Sequence, residues 1–188
     1  MIKALIFLIE TFSALYLIIL LLRFWLPLLR ANFQNQIAQG VLRYTSPAVV
    51  PLRRFVPPIG RIDTATVIVA FVIQFLTLLA ITTLDQQGFT DLPPLWTLAV
   101  ESVLRLMSLS VTLFIVTIII RVILNLLGKY LGPISDMLVD LTEPVMRPVR
   151  KVIPPLGAVD LSAYITIILL IALNMVLADL QFKVLQLS

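Results

Sequence analysis

TSPAVVPLRRFVPPIGRID, residues 45–63, returns as TEPVMRPVRKVIPPLGAVD, residues 142–160, at a constant offset of 97 residues (142 − 45). Eight of the nineteen positions are identical: Thr45/Thr142, Pro47/Pro144, Pro51/Pro148, Arg53/Arg150, Pro57/Pro154, Pro58/Pro155, Gly60/Gly157 and Asp63/Asp160. Arg54 becomes Lys151, which keeps the charge. Each copy lies between long apolar runs. The chain therefore writes one supersecondary unit twice.

Working outward, the flanking runs set the class. The chain of 188 residues is 60% hydrophobic and 13% charged, with a mean hydropathy of +1.08. A soluble domain of this size cannot hide that much apolar surface, which points to an integral membrane protein. Four stretches reach the roughly 20 residues that a bilayer core requires. They run near Ala4–Leu28, Thr64–Leu84, Trp96–Leu127 and Leu161–Leu180. Lys3 is followed by Ala4–Leu22 with no small-x-small cleavage site, so this stretch reads as a span rather than a cleaved signal. The third stretch is longer than a span needs, which predicts tilt or extension beyond the bilayer.

The two stretches between spans one and two, and between three and four, are too polar to cross. Each predicts a short amphipathic helix lying in the interface. In the second, Ile134, Met137, Leu138 and Leu141 follow helical spacing, with Ser135, Asp136 and Asp140 opposite. In the first, Ile37, Val41 and Leu42 face away from Gln36, Gln39 and Arg43. Both helices are expected to stop before Pro47 and Pro144, because a residue preceding proline avoids the helical region. The expected fold is an all-α membrane protein of four transmembrane helices, arranged as two parallel repeats of a helix–interfacial segment–helix hairpin. Residues 1–95 form the first repeat with an outward connecting loop, and residues 96–188 form the second.

Charge sets orientation. Eleven basic residues, from Arg23 to Lys151, sit in the two inter-span stretches and adjoining helix ends, against Lys3, Arg105 and Lys183 on the other side. The positive-inside rule places both repeated segments in the cytoplasm and both termini outside. Two spans per copy give both copies one orientation, related by an axis along the membrane normal.

Each copy closes on Pro-Pro-x-Gly-x-x-Asp. The prolines stiffen the entry, Gly60 and Gly157 permit a turn, and Asp63 and Asp160 precede an apolar run where a carboxylate can cap a helix. An ion or proton site at the two aspartates is the alternative reading. Arg23 and Arg121 sit late in spans one and three among apolar neighbours. An arginine there either snorkels to the headgroups or is paired, and Asp63 and Asp160 are the partners expected. Glu101 and Arg105 have i, i+4 spacing, and Glu10 is placed to reach water or Arg105. Gln74, Thr77, Asn125 and Asn174 are assigned to interhelical hydrogen bonding rather than permeation.

Arg53, Arg54, Arg147, Arg150 and Lys151 form a basic face beside the membrane. It serves as a topology signal or as an attractor of anionic lipid headgroups, at about 1 kcal/mol per charge. Nucleic acid is not an expected partner, for no binding module accompanies the charge. The chain has no Cys and no His. That removes the usual zinc ligands, Cys and His nucleophiles and a histidine pH switch. No phosphate loop, nucleophile elbow or carboxylate–histidine grouping is present, so neither enzymatic activity nor a cofactor is expected.

The element Leu141–Asp160, L-T-x-P-x-x-x-P-x-R-(R/K)-x-x-P-P-x-G-x-x-D, resembles the signature of the YggT family of small bacterial membrane proteins. The first copy departs from it at Tyr44. Related YlmG-type proteins of cyanobacteria and plastids usually carry one copy, and the two-copy form is similar to that of Gram-negative bacteria. The resemblance covers roughly residues 5–84 and 103–180. It implies a multi-pass protein of the bacterial inner membrane, linked to osmotic-shock protection and potassium uptake. Its single-copy relatives imply links to division, DNA distribution and cytochrome assembly. The motif positions Arg23, Arg53, Arg54, Pro57, Pro58, Gly60, Asp63, Arg121, Arg150, Lys151, Pro154, Pro155, Gly157 and Asp160 carry over without assigned chemistry. The expected function is support of osmotic tolerance through potassium or ion homeostasis, acting as a homo-oligomer or with a membrane-protein partner. The alternative is a scaffold or assembly factor for a membrane complex.

Overall fold

The structure is a computed structural model describing residues 1–29, 36–85, 92–152 and 160–186. Among the described residues six helices follow in the order long, short, long, twice over: α1 (Ile2–Leu28), α2 (Gln36–Arg53), α3 (Thr64–Asp85), α4 (Leu95–Leu126), α5 (Pro133–Val152) and α6 (Leu161–Gln186). The protein is all-α, and α1, α3, α4 and α6 are long and apolar enough to cross a membrane. They coincide with the four expected spans, α6 running six residues further. At 32 residues, α4 is roughly 48 Å long and overshoots a bilayer core.

The long helices are apolar all round, as spans must be, so only a narrow stripe of each is buried against a neighbour. α1 packs against α3, α4 against α6, and α3 against α4. The first core gathers Leu17 and Leu20 of α1, Val49 of α2, and Ala65, Val69 and Ala70 of α3, with Leu106 and Leu109 of α4 against them. Ile118, Met146 and Ala163 form the corresponding centre in the second half. Small residues at the α1–α3 contact let the backbones approach closely. Leu26 of α1, Ala38 of α2 and Met137 of α5 meet in one cluster, which puts both short helices at the same end of the bundle. That end, which also holds most of the basic residues, is the basic end.

The short helices overturn one expectation. α2 continues through Pro47 and Pro51, and α5 through Pro144 and Pro148, to Arg53 and Val152. A proline inside a helix removes one donor and crowds the carbonyl four residues back. All four prolines are solvent-exposed and spaced four apart, so the freed carbonyls lie on one outer stripe where water can reach them. On the inner side Thr45 and Ser46 donate to Val41 and Leu42 carbonyls, and Thr142 donates to Leu138, which binds side-chain hydroxyls to the interrupted ladder.

The connections use glycine where the backbone demands it. Gly60 has φ +62° and turns a two-residue hairpin closed by reciprocal Ile59–Ile62 backbone bonds of 3.1 and 3.0 Å. α4 ends in a Schellman motif: Gly128 at φ +61° lets Lys129 N–H reach the Leu124 carbonyl and Gly128 N–H reach that of Asn125.

Candidate functional site: paired arginine–carboxylate networks

Helical phase carries Arg23 of α1 toward the inner face of α2. Its Nη1 donates to Thr45 Oγ1 at 2.8 Å, and its Nε lies 3.6 Å from Asp63 Oδ2. Arg53, at the end of α2, donates from Nη2 to the same Oδ2 at 2.7 Å. Thr66 Oγ1 also donates to this oxygen at 2.8 Å, while the buried Arg23 Nε contributes charge rather than a hydrogen bond. Asp63 is the residue before α3, so one carboxylate ties α1, α2 and α3 together at the membrane boundary. Arg23 is only 3% exposed and Asp63 5%. The arginine is therefore paired, not snorkelled.

The second half repeats part of this arrangement. Arg121 donates to Thr142 Oγ1 at 2.7 Å, as Arg23 does to Thr45. Arg150 donates to Asp160 Oδ2 at 2.6 Å, as Arg53 does to Asp63. Asp160 accepts from the backbone N–H of Ser162 at 3.1 Å and from the Ser162 hydroxyl, capping α6 as expected. The expected Arg121–Asp160 pair is replaced: Arg121 meets Glu143 Oε2 at 3.1 Å. Glu143 also meets Arg150 at 2.9 Å, so it bridges the two arginines. In the first copy Ser46 stands where Glu143 stands in the second. The first network thus sets two guanidinium groups against one carboxylate, and the second sets two against two.

Burial pushes the Asp63 carboxyl up, but hydrogen bonds from Arg53 and Thr66, with the Arg53 and Arg23 charges, outweigh it and hold the group below the usual carboxylate range. Asp160 is lowered likewise, with Ser162 and Arg150 overcoming its burial. For Arg150, burial opposes the charge, yet Asp160 and Glu143 raise its pKa above the ordinary value.

Each basic doublet divides. Arg53, although 46% exposed, and the half-buried Arg150 pair with the aspartates, whereas Arg54 and Lys151 are exposed outside those pairs. Pro57 and Pro58 are exposed too, and Thr64 Oγ1 donates to the Pro57 carbonyl at 2.8 Å, tying the turn to α3. Pro154, Pro155 and Gly157 lie outside the described residues. A cavity of about 580 Å³ opens beside the second network, lined both by Arg121, Lys129, Arg150 and Asp160 and by Val122, Leu138 and Met146. The Arg150 Nε is buried there without a hydrogen-bond partner.

A second polar group sits toward the opposite end. Arg105 pairs with Glu101 at 2.8 Å and approaches Glu10 across the bundle at 3.9 Å. Glu10, Ser13, Gln74, Thr77 and Arg105 line a cavity of about 140 Å³. Asn174 bonds Ser108 at 2.5 Å and Thr112 at 3.2 Å, the interhelical role expected of it. Thr77 instead donates to Ile73 of its own helix. No group of three or more metal-ligating side chains occurs among the described residues.

Sequence reasoning did not single out Glu143, nor the hydroxyls of Thr45 and Thr142. The threonines carried a signal, since both are kept between the copies and stand inside helices. Glu143 was a departure from the repeat, visible only as Ser46 exchanged for a charge.

The sequence matches the CCB3/YggT family over residues 2–84 and again over residues 100–181. It is 31% identical to "Uncharacterized protein YggT" of Escherichia coli strain K12 over 92% of this chain and 88% of that protein. It is 32% identical to "Uncharacterized protein in proC 3'region" of Vibrio alginolyticus, over 93% of each chain. An uncharacterized protein of Pseudomonas aeruginosa is 35% identical over 94% of this chain and 89% of its own length. No solved structure matches. With the family matched twice and nearly end to end, the chain belongs to the CCB3/YggT family.

Proposed function

We propose that this protein supports osmotic-stress tolerance in a bacterial inner membrane as a non-catalytic scaffold, holding a partner complex or anionic lipid at its cytoplasmic face. The observation that carries this reading is the division of the doublets. Arg53 and Arg150 are spent on Asp63 and Asp160 and clamp α2 and α5 to the spans. Arg54 and Lys151, one position on, are left exposed on that rigid base. Osmotic tolerance enters from the family resemblance. The geometry supports the scaffold part, since its strongest polar contacts join helices to one another. The half-basic, half-apolar cavity beside Arg121 and Arg150 fits an anionic headgroup with its first methylenes.

The test is the double variant Arg54→Gln/Lys151→Gln. It is expected to unfold at the wild-type temperature and to insert normally, while losing co-purified anionic lipid or partner and protection after an osmotic downshift. Full protection in this double variant would falsify the scaffold reading.

Ion movement is the second reading, favoured by the polar cavity lined by Glu10, Gln74, Thr77 and Arg105. Purified protein in potassium-loaded liposomes decides it. Flux above empty liposomes that Glu10→Gln abolishes replaces the scaffold with a conducting protein.

A further inference from the structure

The first turns of α3 and α6 are buried at matching positions, but the rest of the two helices is not. In α3, Ala65, Thr66, Gln74, Thr77 and Leu78 are all buried, the last three at 7%, 8% and 1% exposure. Their counterparts 97 positions on are Ser162, Ala163, Ile171, Asn174 and Met175. Ser162 and Ala163 are buried just as deeply, but Ile171 is 42% and Met175 65% exposed. The reason is visible in the packing. α4 covers the far half of α3, placing Arg105 and Leu109 beside Gln74 and Thr77. α6 packs on α4 and α5, and no comparable interface joins it to α1 among the described residues.

The same asymmetry appears on α1. Aligning Arg23 with Arg121, an offset of 98, makes Phe7, Leu8 and Thr11 the counterparts of Arg105, Leu106 and Leu109. On α4 these positions seat against the first half. On α1, Phe7 is 64% and Leu8 48% exposed. The junction between the halves is therefore heterologous: the outgoing face of the first meets the incoming face of the second. Each chain ends with one outgoing face, on α6, and one incoming face, on α1, both uncovered. A heterologous junction repeated between chains gives a closed ring where the rotation closes and an open filament where it does not, and two chains are the smallest closed form.

We infer that a second copy of this chain covers these faces, with α6 of one protomer against α1 of the next. The polarity agrees: α3 runs antiparallel to α4 at the internal junction, and α6 runs antiparallel to α1 at the proposed one. A pair of chains related by a two-fold axis makes the contact twice and leaves neither face open. The inference rests on the packing alone and stands whether or not the scaffold reading does.

The chain has no cysteine, so introduced ones report alone. Met175→Cys combined with Leu8→Cys, or Ile171→Cys with Thr11→Cys, is oxidised with copper phenanthroline in native membranes. The expected product is a covalent dimer at twice 21.0 kDa, reversed by reductant. Leu76→Cys, on the exposed side of α3, serves as the control for random collision. Intact mass of the unmodified protein in nanodiscs is expected to show two chains. A single chain by mass, a disulfide formed within one chain, or equal dimer from Leu76→Cys each overturns the inference.

Discussion

At the residue scale the molecule turns on a buried guanidinium. Arg23 has one carboxylate to answer it, shared with Arg53, whereas Arg121 and Arg150 share two. Removing one partner of a buried pair costs about 3–5 kcal/mol, because the other charge stays behind. Asp63→Asn is therefore expected to destabilise by about that much, read from denaturant unfolding in detergent. Asp160→Asn keeps Glu143 beside both arginines and should cost less, about 1.5–3 kcal/mol, the range for a hydrogen bond to a charged group. Equal losses would show that the two networks are not electrostatically distinct. Acid gives a second reading. Both aspartates titrate below the unfolded value of 3.8 when folded. Their contribution is complete above about pH 5 and lost as pH falls through the folded values. Thermal unfolding should be flat from neutral pH to about 5 and then drop, and the drop should shrink in Asp63→Asn. The Arg23–Asp63 pair was legible in advance because one motif fixes Asp63 at a helix start and one apolar run strands Arg23. Its counterpart misread Arg121, because Glu143 is nearer than Asp160 and nothing in the repeat marks position 143.

At the element scale the long helices followed from length and hydropathy, and the start of α6 from its Asp160 cap. The short helices did not follow from local rules. Proline disfavours the helical region in the residue before it, yet α2 and α5 each carry two prolines and continue. The local penalty is outweighed by packing of the inner face, where Thr45 and Val49, and Thr142 and Met146, are fully or almost fully buried. The prolines lie on the exposed face. Pro47→Ala restores a donor at an exposed site and should leave stability unchanged or raise it by about 1–3 kcal/mol. A lower melting temperature in that variant would mean that the bend itself is needed to seat Arg53 on Asp63.

At the scale of the whole molecule, the basic end carries α2, α5 and both ion-pair networks, while the described ends of α1 and α6 lie opposite. Positive charge predicts that this end faces the cytoplasm. Single cysteines at Arg54 and at Lys183, both exposed, settle it. The first is expected to react with an impermeant maleimide only after the cells are opened, the second in intact cells. The reverse pattern would invert the assignment. Orientation also governs the proposed function, since Arg54 and Lys151 can bind an internal partner only if they lie inside.

The sequence by itself determined the class, the four spans, the duplicated segment and, among the paired charges, Arg23 with Asp63. These are properties of composition, run length and spacing, which act along the chain and need no fold to be read. Tertiary structure decided which charge meets which. Arg53 and Arg54 are neighbours of equal charge, and only the direction in which α2 leaves its last turn sends one to Asp63 and the other to solvent. It also decided that α3 is covered where α6 is not, because a repeated sequence does not specify how its two copies are placed against each other. Coulomb and packing energies depend on distance through space, and distance through space is what a linear pattern leaves open.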